Sequence, residues 1–347
     1  HFKNKDRCGA KVQDVEILHR IFHGMDLFWP RSCEMNDRLA AEENGTDKRG
    51  NQMGNHEAKI LIAAKRARKA FAERLRVTFS DAYPYRTVDE RWIKTSAGDT
   101  RLLVYRPLKT AGATPVFVNI HGGGFVQGSA EDDEIWCQRI ADSVGCCVVS
   151  IDYHLSPEHK FPVALEECYD VLKWVHDQSA QLGVDPARIA VGGHSAGGNL
   201  TAAICLLARE RKEFSIVLQV LNYPPLDMSL DPFRHESKDT LLTPKVQAFF
   251  TACYVRTPEE AKNPLVSPLR AEDLSGLPPA LMISAEYDPL REEEELYVRR
   301  LEEAGIPVQY ECFQGCMHAF THFGPEAAAN DAWELIHARL RQAFCLR

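Results

Sequence analysis

Short apolar runs recur along the chain from about residue 88 onwards, and helical segments separate most of them. The runs are rich in Val, Ile, Tyr and Phe, which is typical of strands. They are RLLVYRP, TPVFVNI, GCCVVSIDY, RIAVGG, SIVLQVLNYP, ALMISAEYD and VQYECFQ. Strands that alternate with helices predict βαβ units and a mostly parallel sheet covered on both faces. The pattern therefore predicts an α/β fold, which ends in a helix at about 331–345.

The first 75 residues carry a different pattern. Apolar side chains recur at helical spacing near residues 14–26, and the aromatic run 26–29 ends at a Trp-Pro break. Residues 41–56 are turn-rich and indicate a loop. A second helical stripe follows at Ile60, Ala64, Ala67, Phe71 and Leu75. The opposite face of this helix is basic and suits a membrane surface or a partner, but we favour a solvated outer face.

Length and charge narrow the class of protein. The chain has 347 residues, enough for one large α/β domain or one domain with an appendage. Its net charge of −8 argues against nucleic-acid binding, which needs a basic face to neutralise phosphates. We see no run of about 20 apolar residues and expect no stable membrane insertion. Without a visible secretory signal, we predict a cytoplasmic protein.

The eleven cysteines are scattered along the chain. A secreted disulfide framework would be shorter and more regular, so we expect reduced, mostly buried thiols. Cys312, Cys316 and His318 lie close enough in sequence to suggest a metal cluster. However, a second cysteine pair at zinc-finger spacing is missing, so we predict no metal.

The sequence G-H-S-A-G at 193–197 joins a predicted strand to a predicted helix. This context is typical of a nucleophile elbow, a tight turn that exposes the serine hydroxyl. Gly193 and Gly197 leave room for the turn, and the helix N-terminus adds free N–H groups near the serine. The alternative is a glycine-rich turn with a bystander serine. We interpret Ser195 as the nucleophile.

Three consecutive glycines follow His121, directly after the run VFVNI. Such a loop can point backbone N–H groups at a ligand, as an oxyanion hole requires. A phosphate-binding loop is the alternative, but neither G-x-G-x-x-G nor a Walker lysine follows. We predict that the N–H groups of Gly122, Gly123 and Ala196 form an oxyanion hole.

A serine nucleophile needs a base and a carboxylate that orients the base. Asp288 closes the run ALMISAEYD, and His318 lies in the loop after VQYECFQ. Each has a simpler explanation alone, Asp288 as a helix N-cap and His318 as a loop histidine. Together they follow Ser195 in the order serine, acid, histidine that α/β hydrolases use. We therefore predict the triad Ser195, Asp288 and His318.

These motifs resemble the hormone-sensitive-lipase-like (bacterial family IV type) esterases of the α/β-hydrolase superfamily. The resemblance covers roughly residues 85–347 and rests on HGGGF, DYHLSPEHKFPVALEECYDVLKWV, GGHSAGGNL and DPLREEEELYVRRLEEAGIPVQY, with MHAF as a weaker match. It implies a sheet of about eight strands, with residues 76–347 as the catalytic domain. It also implies a helical cap, formed by residues 1–75 and the insertion 225–265. Hydrolysis of short- to medium-chain acyl esters, without metal or organic cofactor, is the implied activity.

Two positions depart from the family pattern. His194 stands before the serine, where the family often has Asp, and Ala319 follows the histidine, where Gly is common. We do not expect His194 to be the base, because a residue adjacent to the nucleophile on an elbow points away from its hydroxyl. Its role is the least explained part of the motif.

Other uses of the scaffold are open at this point. The same triad could hydrolyse amides or lactones. A small-molecule receptor could also use this scaffold without catalysis, although His318, which receptors resembling this family have lost, is present. The expected partner is a small-molecule ester, and the last helix and a late strand offer surfaces for a homodimer.

Overall fold

The computed structural model describes residues 49–78, 88–109, 112–234 and 238–345. The chain divides into two compact units, residues 1–78 and 79–347. In the first unit, helix α1 spans Arg49–Thr78. The predictions made for residues 14–29 lie outside the described residues.

Helix α1 carries the predicted apolar stripe. Ala64 and Ala67 are buried, whereas Lys65 and Arg66 are exposed. The loop predicted for 41–56 is wrong from Arg49 onwards, because the helix begins there. Once a helix has nucleated, each further residue adds a hydrogen bond, so turn-prone residues can extend it.

The second unit contains one eight-stranded sheet with the order β1-β2-β4-β3-β5-β6-β7-β8. The strands are β1 (Asp89–Thr95), β2 (Gly98–Tyr105), β3 (Thr114–Ile120), β4 (Cys147–Asp152), β5 (Val184–His194), β6 (Leu218–Asn222), β7 (Ala280–Ala285) and β8 (Val308–Phe313). The pairs β1–β2 and β2–β4 are antiparallel, and the others are parallel. The predicted α/β fold with a mostly parallel sheet of about eight strands is confirmed.

Helices cover both faces of the sheet. They are α2 (Glu134–Val144), α3 (Val163–Asp177), α4 (Ser179–Leu182), α5 (Ala196–Arg211), α6 (Pro244–Tyr254), α7 (Arg291–Glu303), α8 (Phe320–Phe323) and α9 (Glu326–Ala343). On one face, α3, α5 and α7 pack in one apolar cluster, and on the other α2 and α9 pack in a second. In β3, Val116 and Val118 belong to the first cluster and Phe117 to the second. Such double-sided burial explains why the central strands are apolar throughout.

Strand β1 lacks the apolar run that marks the other strands and was not predicted. Its sequence DERWIKT is half charged, and only Ile93 is buried. An edge strand with one face in water needs no continuous apolar run, and charges at an edge discourage pairing with other chains.

The insertion 225–265 contains α6 and a short 3₁₀ turn, Glu260–Lys262. Thr243 caps α6 by accepting the Val246 N–H, and Pro244 begins the helix. Phe250 of α6 lies against the loop after β3, since a Cβ on Gly124 would come within 2.4 Å of its ring. The insertion therefore covers the carboxyl edge of the sheet at β3.

Candidate active site

The turn between β5 and α5 has the geometry of a nucleophile elbow. Ser195 has φ 52° and ψ −119°, a backbone conformation that side chains rarely adopt. A Cβ at Gly197 would lie 1.9 Å from the Ile120 carbonyl oxygen, and one at Gly193 would lie 2.3 Å from it. Glycine is therefore required at both positions so that the turn can pack against the end of β3.

The structure brings the three predicted triad residues together. His318 Nε2 lies 2.8 Å from Ser195 Oγ, and His318 Nδ1 lies 2.7 Å from Asp288 Oδ2. Asp288 and His318 are buried. These contacts are those of a serine that can pass its proton to a histidine held by a carboxylate.

Asp288 also accepts a backbone hydrogen bond just before helix α7. Its Oδ1 accepts the Leu290 N–H at 2.9 Å, just before α7, while Oδ2 faces His318. Leu290, not Asp288, is the N-cap of α7, so the N-cap role suggested by the sequence is wrong by two residues. The backbone bond also fixes the direction of the oxygen that faces the imidazole.

A second carboxylate lies beside the histidine. Asp239 Oδ2 accepts the backbone N–H of His318 at 2.6 Å, and its Oδ1 accepts the N–H groups of Leu241 and Leu242. Burial alone would lower the pKa of His318, but the negative charges of Asp288 and Asp239 raise it above its ordinary value. Sequence analysis did not find Asp239, because its segment carries no motif.

In the glycine loop (residues 121–124), one of the N–H groups predicted for the oxyanion hole has another partner. The N–H of Gly122 donates to the His194 ring at Nε2, at 3.0 Å, so it is already engaged and its assignment to the oxyanion hole needs correction. Gly123 has φ 113°, and its carbonyl accepts from Val126 and Gln127, which pins the loop. Within the described part of the chain, the N–H groups of Gly123 and Gly124 have no hydrogen-bond partner.

Ala196 opens helix α5 directly after the serine. The first N–H groups of a helix have no intrahelical acceptor and carry the positive end of its dipole. The loop residue Gly124 and Ser195 line one cavity together. The donors suited to an oxyanion beside Ser195 are therefore Gly123, Gly124 and Ala196.

His194 belongs to a buried group that we call the His194 cluster, formed by Asp133, His194 and His322. Asp133 Oδ1 lies 3.1 Å from His194 Nε2 and 2.9 Å from His322 Nε2, and the two rings stack at 4.0 Å. Burial would raise the pKa of Asp133, but His194 and His322 hold it well below its ordinary value. Burial and the neighbouring His194 lower the pKa of His322 to about 4.

The His194 cluster has the residue types of a metal site, with its ligand atoms within 4.8 Å of one another. A metal would require the in-plane lone pairs of both rings to converge on one point. Instead the rings are only 29° from parallel, and the Gly122 N–H points at His194 Nε2. These contacts fit a hydrogen-bonded network better than a metal site.

The other candidate metal set, Cys312, Cys316 and His318, is not assembled for ligation. Both ring nitrogens of His318 already face Asp288 and Ser195. All nine cysteines in the described ranges are free thiols, and seven of them are buried. Burial raises the pKa of the Cys312 and Cys316 thiols, so they are poor metal ligands and poor nucleophiles.

A cavity of about 60 Å³ adjoins Ser195. Its apolar lining includes Leu230, Leu242, Phe250 and Leu290. A wider opening of about 330 Å³ shares residues such as Arg234 and Gln247 with this cavity and also reaches Asp288. A small cavity thus lies beside the candidate nucleophile, and a larger opening adjoins that cavity.

No helix among the described residues combines the length and hydropathy of a membrane span.

Comparison with known proteins gives related enzymes and related structures. An arylesterase of Saccharolobus solfataricus is 35% identical over 254 residues, which cover 73% of this chain and 82% of that protein. An ethyl acetate hydrolase of Pseudomonas putida is 32% identical over 285 residues, covering 79% and 89%. A thermostable carboxylesterase from a metagenomic library superposes with a TM-score of 0.76 at 40% identity, covering 81% of this chain and 97% of that one.

A family model described as the alpha/beta hydrolase fold matches residues 117–322, from β3 to the short helix after His318. The match spans more than half of the chain and contains the glycine loop, the elbow and both other triad positions. With the related esterases, it confirms the resemblance drawn from the sequence motifs. The chain belongs to the α/β-hydrolase family, among its hormone-sensitive-lipase-like esterases.

Proposed function

We propose that this esterase hydrolyses short- to medium-chain acyl esters through Ser195, His318 and Asp288. The observation that carries the proposal is the position of His318, whose two ring nitrogens face Ser195 Oγ and Asp288 Oδ2 at 2.8 and 2.7 Å. A histidine that takes a serine proton while a carboxylate holds its tautomer and stabilises its charged form makes both contacts.

In the first step His318 Nε2 takes the proton of Ser195 as Oγ bonds to the ester carbonyl carbon. The tetrahedral oxyanion collapses, the C–O bond to the alcohol breaks, and His318 returns the proton to the leaving oxygen. In the second step water loses a proton to His318 and attacks the acyl-enzyme, and the acid leaves as Ser195 regains its proton. Asp288 keeps the Nδ1–H tautomer of His318 and stabilises its charged form.

We assign the oxyanion contacts to the N–H groups of Gly123, Gly124 and Ala196. Loss of one such donor typically costs about 10²–10³ in rate. The cavity of about 60 Å³ beside Ser195 suits a short acyl group, and the wider opening suits the alcohol part. The apolar lining of the smaller cavity supports this orientation.

Ser195→Ala tests the proposal. We expect turnover of a short-chain nitrophenyl ester to fall by about 10⁶, with an unchanged unfolding transition. A serine-directed phosphonate should label wild-type protein at one site and leave the variant unlabelled. Ser143→Ala, which removes an exposed serine hydroxyl, is the matched control. Retention of most activity by Ser195→Ala would overturn the assignment.

The same experiments separate the rival functions. An amidase or lactonase would turn over anilides or lactones faster than esters of matched acyl length. A receptor without catalysis would bind an ester but fail to react with the phosphonate. The short contact between His318 and Ser195 supports an enzyme, since binding alone does not require it.

We propose that residues 1–75 and the insertion 225–265 both contribute to a helical cap. The amphipathic helix α1 supports this role, because its apolar stripe suits packing and its other face suits water. Polar substitutions at Ile60 and Phe71 would then change the preferred acyl length. An unchanged preference in a folded variant would contradict the cap role.

We also propose a homodimer and a reducing, cytoplasmic location. Strand β8 forms one end of the sheet, and an uncovered strand edge can pair with a second copy. Light scattering during size-exclusion chromatography would give the mass of the assembly. The nine free thiols among the residues that the structure describes support a reducing compartment.

A further inference from the structure

The N–H of Gly122 depends on the His194 ring. Gly122 is buried, and a buried backbone donor without an acceptor costs free energy. Within the described residues, its hydrogen-bond acceptor is His194 Nε2 at 3.0 Å. This bond joins the residue before the nucleophile to the first glycine of the glycine loop.

His194 Nε2 also lies 3.1 Å from Asp133 Oδ1, and one ring nitrogen cannot accept and donate at once. Asp133 has two other donors, because Oδ2 accepts from Asn119 Nδ2 at 2.8 Å and Oδ1 lies 2.9 Å from His322 Nε2. An accepting Nε2 on His194 therefore leaves every one of these buried groups with a partner. A donating Nε2 would leave the Gly122 N–H without one.

His322 packs on the ring of His194 and is itself held by hydrogen bonds, one of them to Asp133. His322 stacks on that ring at 4.0 Å, and its own Nδ1 lies 2.9 Å from Thr321 Oγ1 and 3.2 Å from the Tyr223 hydroxyl. The Tyr223 ring packs edge-on against His318 at 5.0 Å between ring centres. The His194 cluster thus connects the elbow, the glycine loop and the segment that carries the catalytic histidine.

We propose that His194 is a positioning residue for ester hydrolysis. Its Nε2 holds the Gly122 N–H and thereby aims the next two N–H groups, those of Gly123 and Gly124, at the oxyanion. His322 acts on the reaction only through the orientation of this ring, and Asp133 acts through His322, to which it is hydrogen-bonded. The proposal rests on the proposed function, since it assigns a role within the same site.

His194→Phe tests the role, because phenylalanine keeps an aromatic ring for stacking on His322 but has no acceptor. We expect kcat for a nitrophenyl acetate to fall about 10- to 100-fold, with KM within about two-fold. A trifluoromethyl ketone forms a tetrahedral adduct that carries an oxyanion, so its inhibition constant should rise by a similar factor. His194→Gln places an amide oxygen the same number of bonds from the backbone and should restore most of kcat.

His337→Phe is the matched control, since His337 is also buried but lies in α9 away from the glycine loop. It should leave kcat and the ketone inhibition constant unchanged. Full phosphonate labelling of His194→Phe would show that the Ser195 site is intact, which separates this test from that of the proposed function. If His194→Phe does not fold, His194→Met, which also lacks a strong acceptor, takes its place.

Three results would overturn the proposal. A folded variant without the acceptor could keep kcat within two-fold of wild type. It could lose kcat without weaker binding of the ketone. The Gln variant could lose as much kcat as the Phe variant although both are folded.

Discussion

Asp239 Oδ2 accepts the backbone N–H of His318 at 2.6 Å, so the histidine faces a second acid besides its triad partner Asp288. Both negative charges raise the pKa of His318 against the opposing effect of burial. The base must be neutral to accept the serine proton. Activity should therefore be lost as the pH falls through the pKa of His318, which lies above the ordinary value for histidine.

Asp239→Asn should shift this loss of activity to lower pH. Without the charge of Asp239, the pKa of His318 falls, and the neutral base persists in more acidic solution. The measurement is the pH profile of kcat/KM for a neutral ester, which reports the free enzyme. Asp170→Asn is the control. Asp170 also accepts a backbone N–H, that of Ser96, but it lies in α3, which carries none of the triad residues. A shift to higher pH, or none, would contradict the prediction.

Phe250→Ala should widen acyl-chain selectivity. Its ring lies over Gly124 and lines the cavity beside Ser195, so truncation opens space where we place the acyl chain. We expect the kcat/KM ratio of octanoate to acetate esters to rise about 10-fold or more, since each buried methylene is worth about 0.8 kcal/mol. Phe214→Ala, a buried phenylalanine packed on Tyr169, should leave the ratio unchanged.

Glu293 should weaken the fold as the solution becomes alkaline. Burial raises its pKa to about 8, although its Oε1 accepts the Leu226 N–H at 2.8 Å. In the unfolded chain, the carboxyl of Glu293 releases its proton at a much lower pH. The free energy of unfolding therefore falls as the pH rises from the pKa of Glu293 in the unfolded chain to its pKa in the folded protein. The loss is about 1.4 kcal/mol per pH unit.

Glu293→Gln should remove this dependence while keeping the acceptor oxygen. Between pH 6 and pH 8, the free energy of unfolding in urea should fall by about 2 kcal/mol more in wild type than in the variant. Glu303→Gln, on the exposed side of the same helix, should behave as wild type. Equal losses in the Glu293 variant and in wild type would rule out a protonated Glu293.

Ala319 occupies a backbone conformation that favours glycine. Its φ is 62°, in the left-handed region, where a side chain costs about 1–2 kcal/mol. Ala319→Gly should raise the free energy of unfolding by about 0.5–1 kcal/mol after the entropy of the unfolded glycine is subtracted. Ala304→Gly, at φ −79°, should lower it. The same sign for both variants would contradict the backbone explanation.

The fold and the triad candidates could be predicted because their signals are local or ordered along the chain. Buried parallel strands such as β3 leave continuous apolar runs, and the glycines around Ser195 mark a tight turn. Asp288 and His318 follow their strands in the expected order. Strand β1 was missed, because a half-exposed edge strand leaves no such run.

The His194 cluster could not be predicted, because its members meet only in the folded chain. Asp133 lies 61 residues before His194 and 189 before His322. The only signal in the sequence was His194, the unusual residue before the nucleophile, and the sequence did not indicate which residues it contacts. The engagement of Gly122 was missed for the same reason, since a glycine run does not tell which N–H faces the ligand.

The buried thiols offer a way to measure how often different parts of the structure open. Cys137, Cys146, Cys147, Cys168 and Cys205 lie in or beside the central strands and helices and are at most 1% exposed. A thiol reagent reaches them only when the surrounding structure separates, so their rates of modification measure how often each layer opens. Comparison of those rates with the loss of ester hydrolysis would show whether the sheet or the site opens first.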